Sequence, residues 1–268
     1  MLGTLLLKAC HNSNPQLAQL LIKDGANVNT TDVDGKTALM LAASSPRGMN
    51  MPLINLLIEK GADVNARDKT GQTALMLAFE KSYLPVVWSL MTKGADANVA
   101  NEKGETPLMG FMQQVEPNPA IAATFLDRGA NVNLKAKDGK TALIALASNS
   151  NIHKPSVDTM SILIQRGADV NARDNSGKTA LMRAAEKGCV EMTRLLLDKN
   201  VDADATDNEG KTALMLALER GHFDVAEILV NRGADVNTKD KTGKGPLKQT
   251  NEVTEKFREF LLQHGARE

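Results

Sequence analysis

NEGKTALMLALERGHFDVAEILVNRGADVNTKD, Asn208 to Asp240, is the stretch that the rest of the chain repeats imperfectly. Thr212 carries the side chain of a helix N-cap, and Ala213 to Leu218 follow as an unbroken run of helix formers. Gly221 stops that helix. Phe223, Val225, Ala226, Ile228, Leu229 and Val230 fall at spacings that put them on one side of a second helix. Arg232 lies in its last turn, where a cation complements the helix dipole, and Gly233 supplies the left-handed residue beyond it. Ala234 to Asn237 reads as extended chain, and Asp240-Lys241-Thr242-Gly243 has the residues of a tight turn. The unit predicted is helix, turn, helix, hairpin.

Outward from this stretch the same marks recur. The glycine ahead of the capping threonine stands at Gly35, Gly71, Gly104, Gly139, Gly177, Gly210 and Gly243, at successive differences of 36, 33, 35, 38, 33 and 33 residues. Gly-Ala-Asp/Asn recurs at Gly25, Gly61, Gly94, Gly129, Gly167 and Gly233, with Asn200 in the equivalent place of the sixth copy. The period and the motifs T-A-L-M, G-H-x-D-V and G-A-D-V-N resemble the ankyrin repeat, and the resemblance covers nearly all of the chain. It implies an all-α fold: an ankyrin-repeat solenoid of stacked helix-turn-helix units with short β-hairpin loops. Eight copies are expected, at about 3–31, 32–67, 68–100, 101–136, 137–173, 174–206, 207–239 and 240–268, the first and last acting as caps. One unit alone cannot bury its apolar face, so the copies should form a single domain over 1–268.

Several local features fit this division. Met1 to Lys8 is apolar enough to suggest a secretion signal, but it lacks a basic leader and aligns with T-A-L-M-L-A-A, so it reads as the first helix. Lys8 replaces an inner-copy leucine, as suits a terminal unit facing water. Pro15, Pro52, Pro85, Pro119 and Pro155 stand at or near the start of the second helix, where the missing N–H costs nothing. Copies two, four and five carry longer helix-to-helix turns, at 44–51, 113–118 and 148–156. In the eighth copy Gly245-Pro246-Leu247-Lys248 replaces T-A-L-M and Gln249-Thr250-Asn251 replaces the small apolar run. Glu255, Phe257, Phe260, Leu261 and Leu262 should still form an amphipathic closing helix, with Arg258 polar on its outward side.

Composition bounds the function. There are 32 basic and 32 acidic residues, so no bulk field draws the chain to nucleic acid or an anionic membrane. Cys10 and Cys189 lie in different copies and do not suggest a disulfide framework; they leave the compartment open between the cytoplasm and an exported location. His11, His153, His222 and His264 are scattered, none with metal-ligand spacing, and His222 stands where the family commonly places a structural histidine. No nucleotide loop or nucleophile elbow is present. No enzyme activity, metal or cofactor is expected, no membrane span is found, and a monomer is expected.

Binding is the function that the resemblance implies, since ankyrin repeats generally hold partner proteins through hairpin tips and the exposed concave side of the first helix. Carried over position by position, the tips are Val33 and Asp34, Lys69 and Thr70, Glu102 and Lys103, Lys137 and Asp138, Asn175 and Ser176, and Asn208 and Glu209. Behind them, after the glycine, come Lys36, Gln72, Glu105, Lys140, Lys178 and Lys211. The ends of the first helices add Ser44, Glu80, Lys81, Gln113, Gln114, Ser148, Asn149, Glu186, Lys187, Glu219 and Arg220. These positions vary between copies while T-A-L-M does not, which separates scaffold from readout. Tyr83 and Trp88, the only Tyr and Trp, and Met49, Met51, Ile152 and His153 of the long turns are further contact candidates. Trp88 aligns with Asn55, Ser161, Arg194 and Glu227 and should be exposed.

Two other readings accompany these. The lysines behind the glycines would stack into a row, either a track for an acidic polymer or small anion, or a solvated row balanced by Asp34, Asp138 and Glu209. Aromatic interleaving, which single-stranded nucleic acid requires, is missing. Where the family has T-P-L-H this chain has Met40, Met76, Met182 and Met215, with Met109 in its one T-P-L copy. That methionine row should be a soft, purely apolar part of the core. The T-A-L-M style resembles bacterial more than animal members. The function expected is a free-standing adaptor, inhibitor or toxin-neutralising partner of another protein.

Overall fold

The first helix of every well-formed copy begins with the same local bond. In the computed structural model, which describes residues 1–47, 49–114, 116–149, 154–199, 201–248 and 255–267, the hydroxyls of Thr37, Thr73, Thr106, Thr141, Thr179 and Thr212 each accept the N–H three residues on, at 3.3–3.4 Å. All six threonines are buried, so each cap also satisfies a donor that water cannot reach. The helices so started are too short to persist alone and depend on burial of nearly every side chain.

The chain forms two compact units, residues 1–111 with 127–131 and residues 112–126 with 132–268. In the first, α1 (Leu2–His11), α3 (Ala38–Ala43) and α5 (Ala74–Glu80) pack in one row. The second helices α2 (Pro15–Lys23), α4 (Met51–Glu59) and α6 (Leu84–Thr92) pack in another. In the fourth copy, α7 (Pro107–Met112) runs to the division, and α8 (Pro119–Asp127) follows it. In the second unit, α9 (Ala142–Ala147), α11 (Ala180–Glu186) and α13 (Ala213–Glu219) form the row of first helices. Behind them pack α10 (Lys154–Gln165), α12 (Val190–Leu197) and α14 (Phe223–Asn231), and α15 (Glu255–Gln263) is the last helix. The fold class is therefore all-α, as expected.

Proline stands at the first or second position of α2, α4, α6, α8 and α10, and glycines with φ near +85° follow the second helices. The predicted methionines Met40, Met76, Met109, Met182 and Met215 are all buried core residues. The expectation of a purely apolar row needs one correction. The Met40 sulfur accepts the Thr37 N–H at 3.5 Å and completes a reciprocal cap.

The hairpins are shorter than the word suggests. Among the described residues the only bridge is Thr31 to Thr37. The arms close instead through the turn itself: in the seventh copy Asp207 N–H donates to the Lys211 carbonyl at 2.9 Å, and Gly210 N–H to the Asp207 carbonyl at 3.0 Å.

The two end copies differ from the inner ones in what they expose. Lys8 is exposed as predicted, and so are Leu2, Leu5, Leu17 and Leu20, interspersed with Gln16, Gln19 and Lys23. In the eighth copy Pro246–Lys248 makes only a 3-10 turn, since Gly-Pro removes both the cap and an N–H. In α15, Phe257 and Leu261 are buried and Phe260 is half-buried, whereas Leu262 is exposed, so the amphipathic stripe is narrower than predicted. The predicted cap at Asn200 and the segment Gln249-Thr250-Asn251 lie outside the described residues.

Candidate partner-binding surface

Each hairpin turn is held by a carboxylate or its amide equivalent folded back under the tip. Asp68, Asp174, Asp207 and Asp240 are buried, and one oxygen of each accepts the N–H groups two and four residues on. Asp32 and Asn101 do the same. The fifth copy has Ala136 at this place, and Asp138 caps Lys140 N–H instead. Successive tips are joined through the backbone: Lys69 N–H donates to the Asp34 carbonyl and Glu102 N–H to Thr70 in the first unit, at 2.9 Å each. In the second, Asn175 donates to Asp138, Asn208 to Ser176 and Lys241 to Glu209, again at 2.9 Å.

A further bond ties the residue behind the tip to the end of the first helix, eight positions on. Gln72 donates to Glu80 at 2.9 Å, Lys178 to Glu186 at 3.1 Å, and Lys211 pairs with Glu219 at 2.7 Å. The spacing follows from the fold, because the chain turns back from the hairpin along the helix that the threonine starts. Lys211 also meets Glu209 at 3.2 Å, and Lys140 meets Asp138 at 2.7 Å. The predicted row of lysines is thus paired at Lys140, Lys178 and Lys211, in part by the acids foreseen for it. Hydrogen bonding to Glu219 leads the causes that raise the Lys211 pKa.

In the second unit these pairs gather into a cluster. Glu186, its side chain 13% exposed, receives Lys178, Arg183 at 3.3 Å and Arg220 at 3.0 Å. Arg183 also donates to Asp174 at 2.6 Å. Burial pushes the Glu186 and Asp174 carboxyls up. Against it, the Lys178 and Arg220 bonds and the Arg183 charge hold Glu186 below the usual carboxylate range. Bonds from Ser176, Arg183 and the Lys178 N–H do the same for Asp174. A cavity of about 260 Å³ opens beside them, lined by Lys140, Ser148, Arg183, Glu186, Lys187 and Arg220.

The other predicted contacts divide. Lys69, Glu80, Lys81, Lys103 and Gln113 are exposed, and Lys36, Glu105 and Gln114 are half-buried. Glu105 accepts from the Asn101 side chain at 3.1 Å. Trp88 is 56% exposed on α6, with Leu84 exposed one turn earlier. Tyr83 is half-buried, and its hydroxyl donates to the Ser45 carbonyl at 3.0 Å, so it ties α6 to the long turn of the second copy. Met49 is exposed and Met51 half-buried, while Ile152 and His153 lie outside the described residues. The long turns of copies four and five meet in the second unit, where Asn149 donates to the Gln114 carbonyl at 2.6 Å and Thr159 to Pro117 at 2.5 Å.

One set of residues escaped the sequence reading. The last residue of G-A-D-V-N stitches each copy to the next. Asn65 donates its amide to the Gly94 carbonyl at 3.1 Å and accepts the Asp96 N–H at 2.7 Å. Asn29, Asn98, Asn133 and Asn237 repeat the pattern. The signal was the recurrence of Asn four residues after the glycine.

Both cysteines are free and buried; burial pushes the Cys10 thiol up to about 12 and Cys189 to about 11. Among the described residues no cluster could hold a metal ion, and no helix is long and apolar enough to cross a membrane.

Comparison with known proteins agrees with this construction. A family profile described as "Ankyrin repeats (3 copies)" matches residues 3–68, 43–110, 80–174, 111–207 and 152–240. No curated protein sequence matches the chain. Among solved structures, the ankyrin repeat domain of Bcl-3, described as a unique member of the IkappaB protein family, is similar with a TM-score of 0.70 and 28% identity. The match covers 86% of this chain and 99% of that one.

Proposed function

Since this chain belongs to the ankyrin-repeat family, we propose that it is a non-enzymatic scaffold that binds a partner protein through its hairpin tips and the exposed ends of its first helices. Ankyrin repeat domains generally mediate protein–protein interaction, and within that role an adaptor, inhibitor or toxin-neutralising partner fits a chain made of repeats. The observation that carries the reading is the division of labour within the copy. Positions that stay Thr-Ala-Leu-Met are buried at 212–215 and at their counterparts. Positions that change from copy to copy, such as Lys69, Lys103 and Asn208, stand exposed at the tips. Burial explains why the first set is uniform; exposure on a rigid backbone frees the second to read a partner.

An acidic polymer along the lysine row is less well supported. Lys140, Lys178 and Lys211 are already paired to carboxylates, and a polymer would have to displace Asp138, Glu186, Glu209 and Glu219 to reach them. The test is capture from the native cell with the full chain as bait, followed by mass spectrometry and a binding titration of what is captured. A saturable protein complex that persists at moderate salt is expected. Capture of polyanions alone, with affinity falling steeply as salt rises, would replace this reading with the other.

A further inference from the structure

The bond from the residue behind the tip to the helix end is complete in copies three, six and seven, as Gln72–Glu80, Lys178–Glu186 and Lys211–Glu219. In the fifth copy the same spacing joins Lys140 to Ser148. No carboxylate stands there, and Ser148 Oγ donates backward to the Ile144 carbonyl at 2.7 Å. Lys140 turns to Asp138 on the exposed tip. The cavity of about 260 Å³ lies at this place, and its lining holds Lys140, Arg183, Lys187 and Arg220 against the single carboxylate of Glu186.

The local charge is out of balance. Lys178, Arg183 and Arg220 share Glu186, and Arg183 has Asp174 besides, so three cations face two carboxylates. Arg220 is the most open of them, its side chain 59% exposed. A guanidinium offers five N–H donors in a planar fork. Among the described residues, one bond from Arg220, to Glu186, engages that fork. An arginine in this state matches a carboxylate with two-point geometry.

We propose that this cavity is a seat for a carboxylate of the partner: an Asp or Glu side chain on an acidic segment, occupying the place where copies three, six and seven carry their own glutamate. The inference rests on the reading that this edge of the molecule meets a partner protein. An acidic peptide suits the seat better than nucleic acid. The positive excess is local: Lys140 is held by Asp138, and the next lysine pair of the row puts Glu209 and Glu219 on Lys211, carboxylates that a run of phosphates would meet. No aromatic side chain lines the cavity for a base to stack on.

The test uses the full chain and fluorescein-labelled peptides of about ten residues, one rich in Glu and one with Gln in place of every Glu, read by fluorescence anisotropy. A single-stranded thymidine oligonucleotide serves as the third probe. Ser148→Glu supplies the missing carboxylate from within and should close the seat. Arg220→Gln removes the open fork, and Lys23→Gln, exposed at the end of α2 in the first unit and outside every proposed contact, serves as control. Circular dichroism melts report whether each variant is folded. The Glu peptide should bind saturably and the Gln peptide should not. Ser148→Glu and Arg220→Gln should each weaken binding by about tenfold or more, with Lys23→Gln unchanged. No binding of the Glu peptide, equal binding of the Gln peptide, tighter binding of the oligonucleotide, or indifference to both variants would overturn the proposal. If Ser148→Glu does not fold, Arg220→Gln decides. A partner captured from the cell and held equally by both variants removes this seat while leaving the wider function standing; absence of any captured protein removes the function itself.

Discussion

Asn65 stands exposed in a loop, yet its side chain bonds two backbone groups of the following copy. Asn65→Ala should therefore cost about 1–2 kcal/mol, measured by urea denaturation. In the sixth copy Asp204 takes the same place and accepts the Asp235 N–H at 2.7 Å, but a carboxylate has no amide to donate. Asp204→Asn should restore the second bond and raise stability by up to about 1 kcal/mol. Asp174 gives the clearest pH dependence. Its folded pKa is lowered, so its contribution is full above the unfolded aspartate value of about 3.9 and is lost as pH falls through the folded value. Asp174→Asn should cost about 1–3 kcal/mol near neutrality, and the gap to the wild type should narrow below about pH 4. A gap that stays constant from pH 7 to pH 3 would mean that the Arg183 pair carries none of it. At this scale the glycines and threonines were legible because few residue types can do their work. Asn in a loop has many local uses, and its reach into the next copy shows only in three dimensions.

The hairpin turn and the helix end use glycine for different reasons, and the two can be separated. Gly177 has φ +78°, and a Cβ there would stand 2.8 Å from the backbone nitrogen of Asn208 in the next tip. Gly233 has φ +87° and open space around it. Gly233→Ala should cost about 1 kcal/mol, for the left-handed backbone alone. Gly177→Ala should cost more, about 2–3 kcal/mol, because the tip-to-tip bond must also give way. Equal losses in thermal melts would contradict the close packing of successive tips. On the outer helices, Trp88→Ala should change stability by less than about 0.5 kcal/mol, as fits an exposed side chain; a loss of several kcal/mol would mean that it is covered. Its exposure was legible from its alignment with Asn55, Arg194 and Glu227. Tyr83 was not, because its partner belongs to an inserted turn whose path no repeat pattern describes. The helix-turn-helix order was plain from periodicity, whereas the pairing of Lys178 with Glu186 needed the return angle of the chain.

For the molecule as a whole, repetition was readable over the span that the family profile matches, 3–240, and faded in the eighth copy, where Gly-Pro removes the cap. The surface proposed for a partner was legible as positions that vary, but variation alone does not tell an exposed side chain from one already engaged. Lys178 and Lys211, just after the glycine, are bonded to their own helix ends, while Lys69, at a tip two residues before the glycine, stands exposed. What varies therefore divides into internal ties and open contacts, and function is assigned to the second group. The most direct measurement is hydrogen–deuterium exchange of the chain with and without its captured partner. Protection is expected in the peptides spanning the hairpin tips and first-helix ends, such as 137–149, 174–187 and 207–220. Protection confined to the second helices, 84–92, 190–197 and 223–231, with those tips unchanged, would contradict the claim that the variable edge is the one that binds.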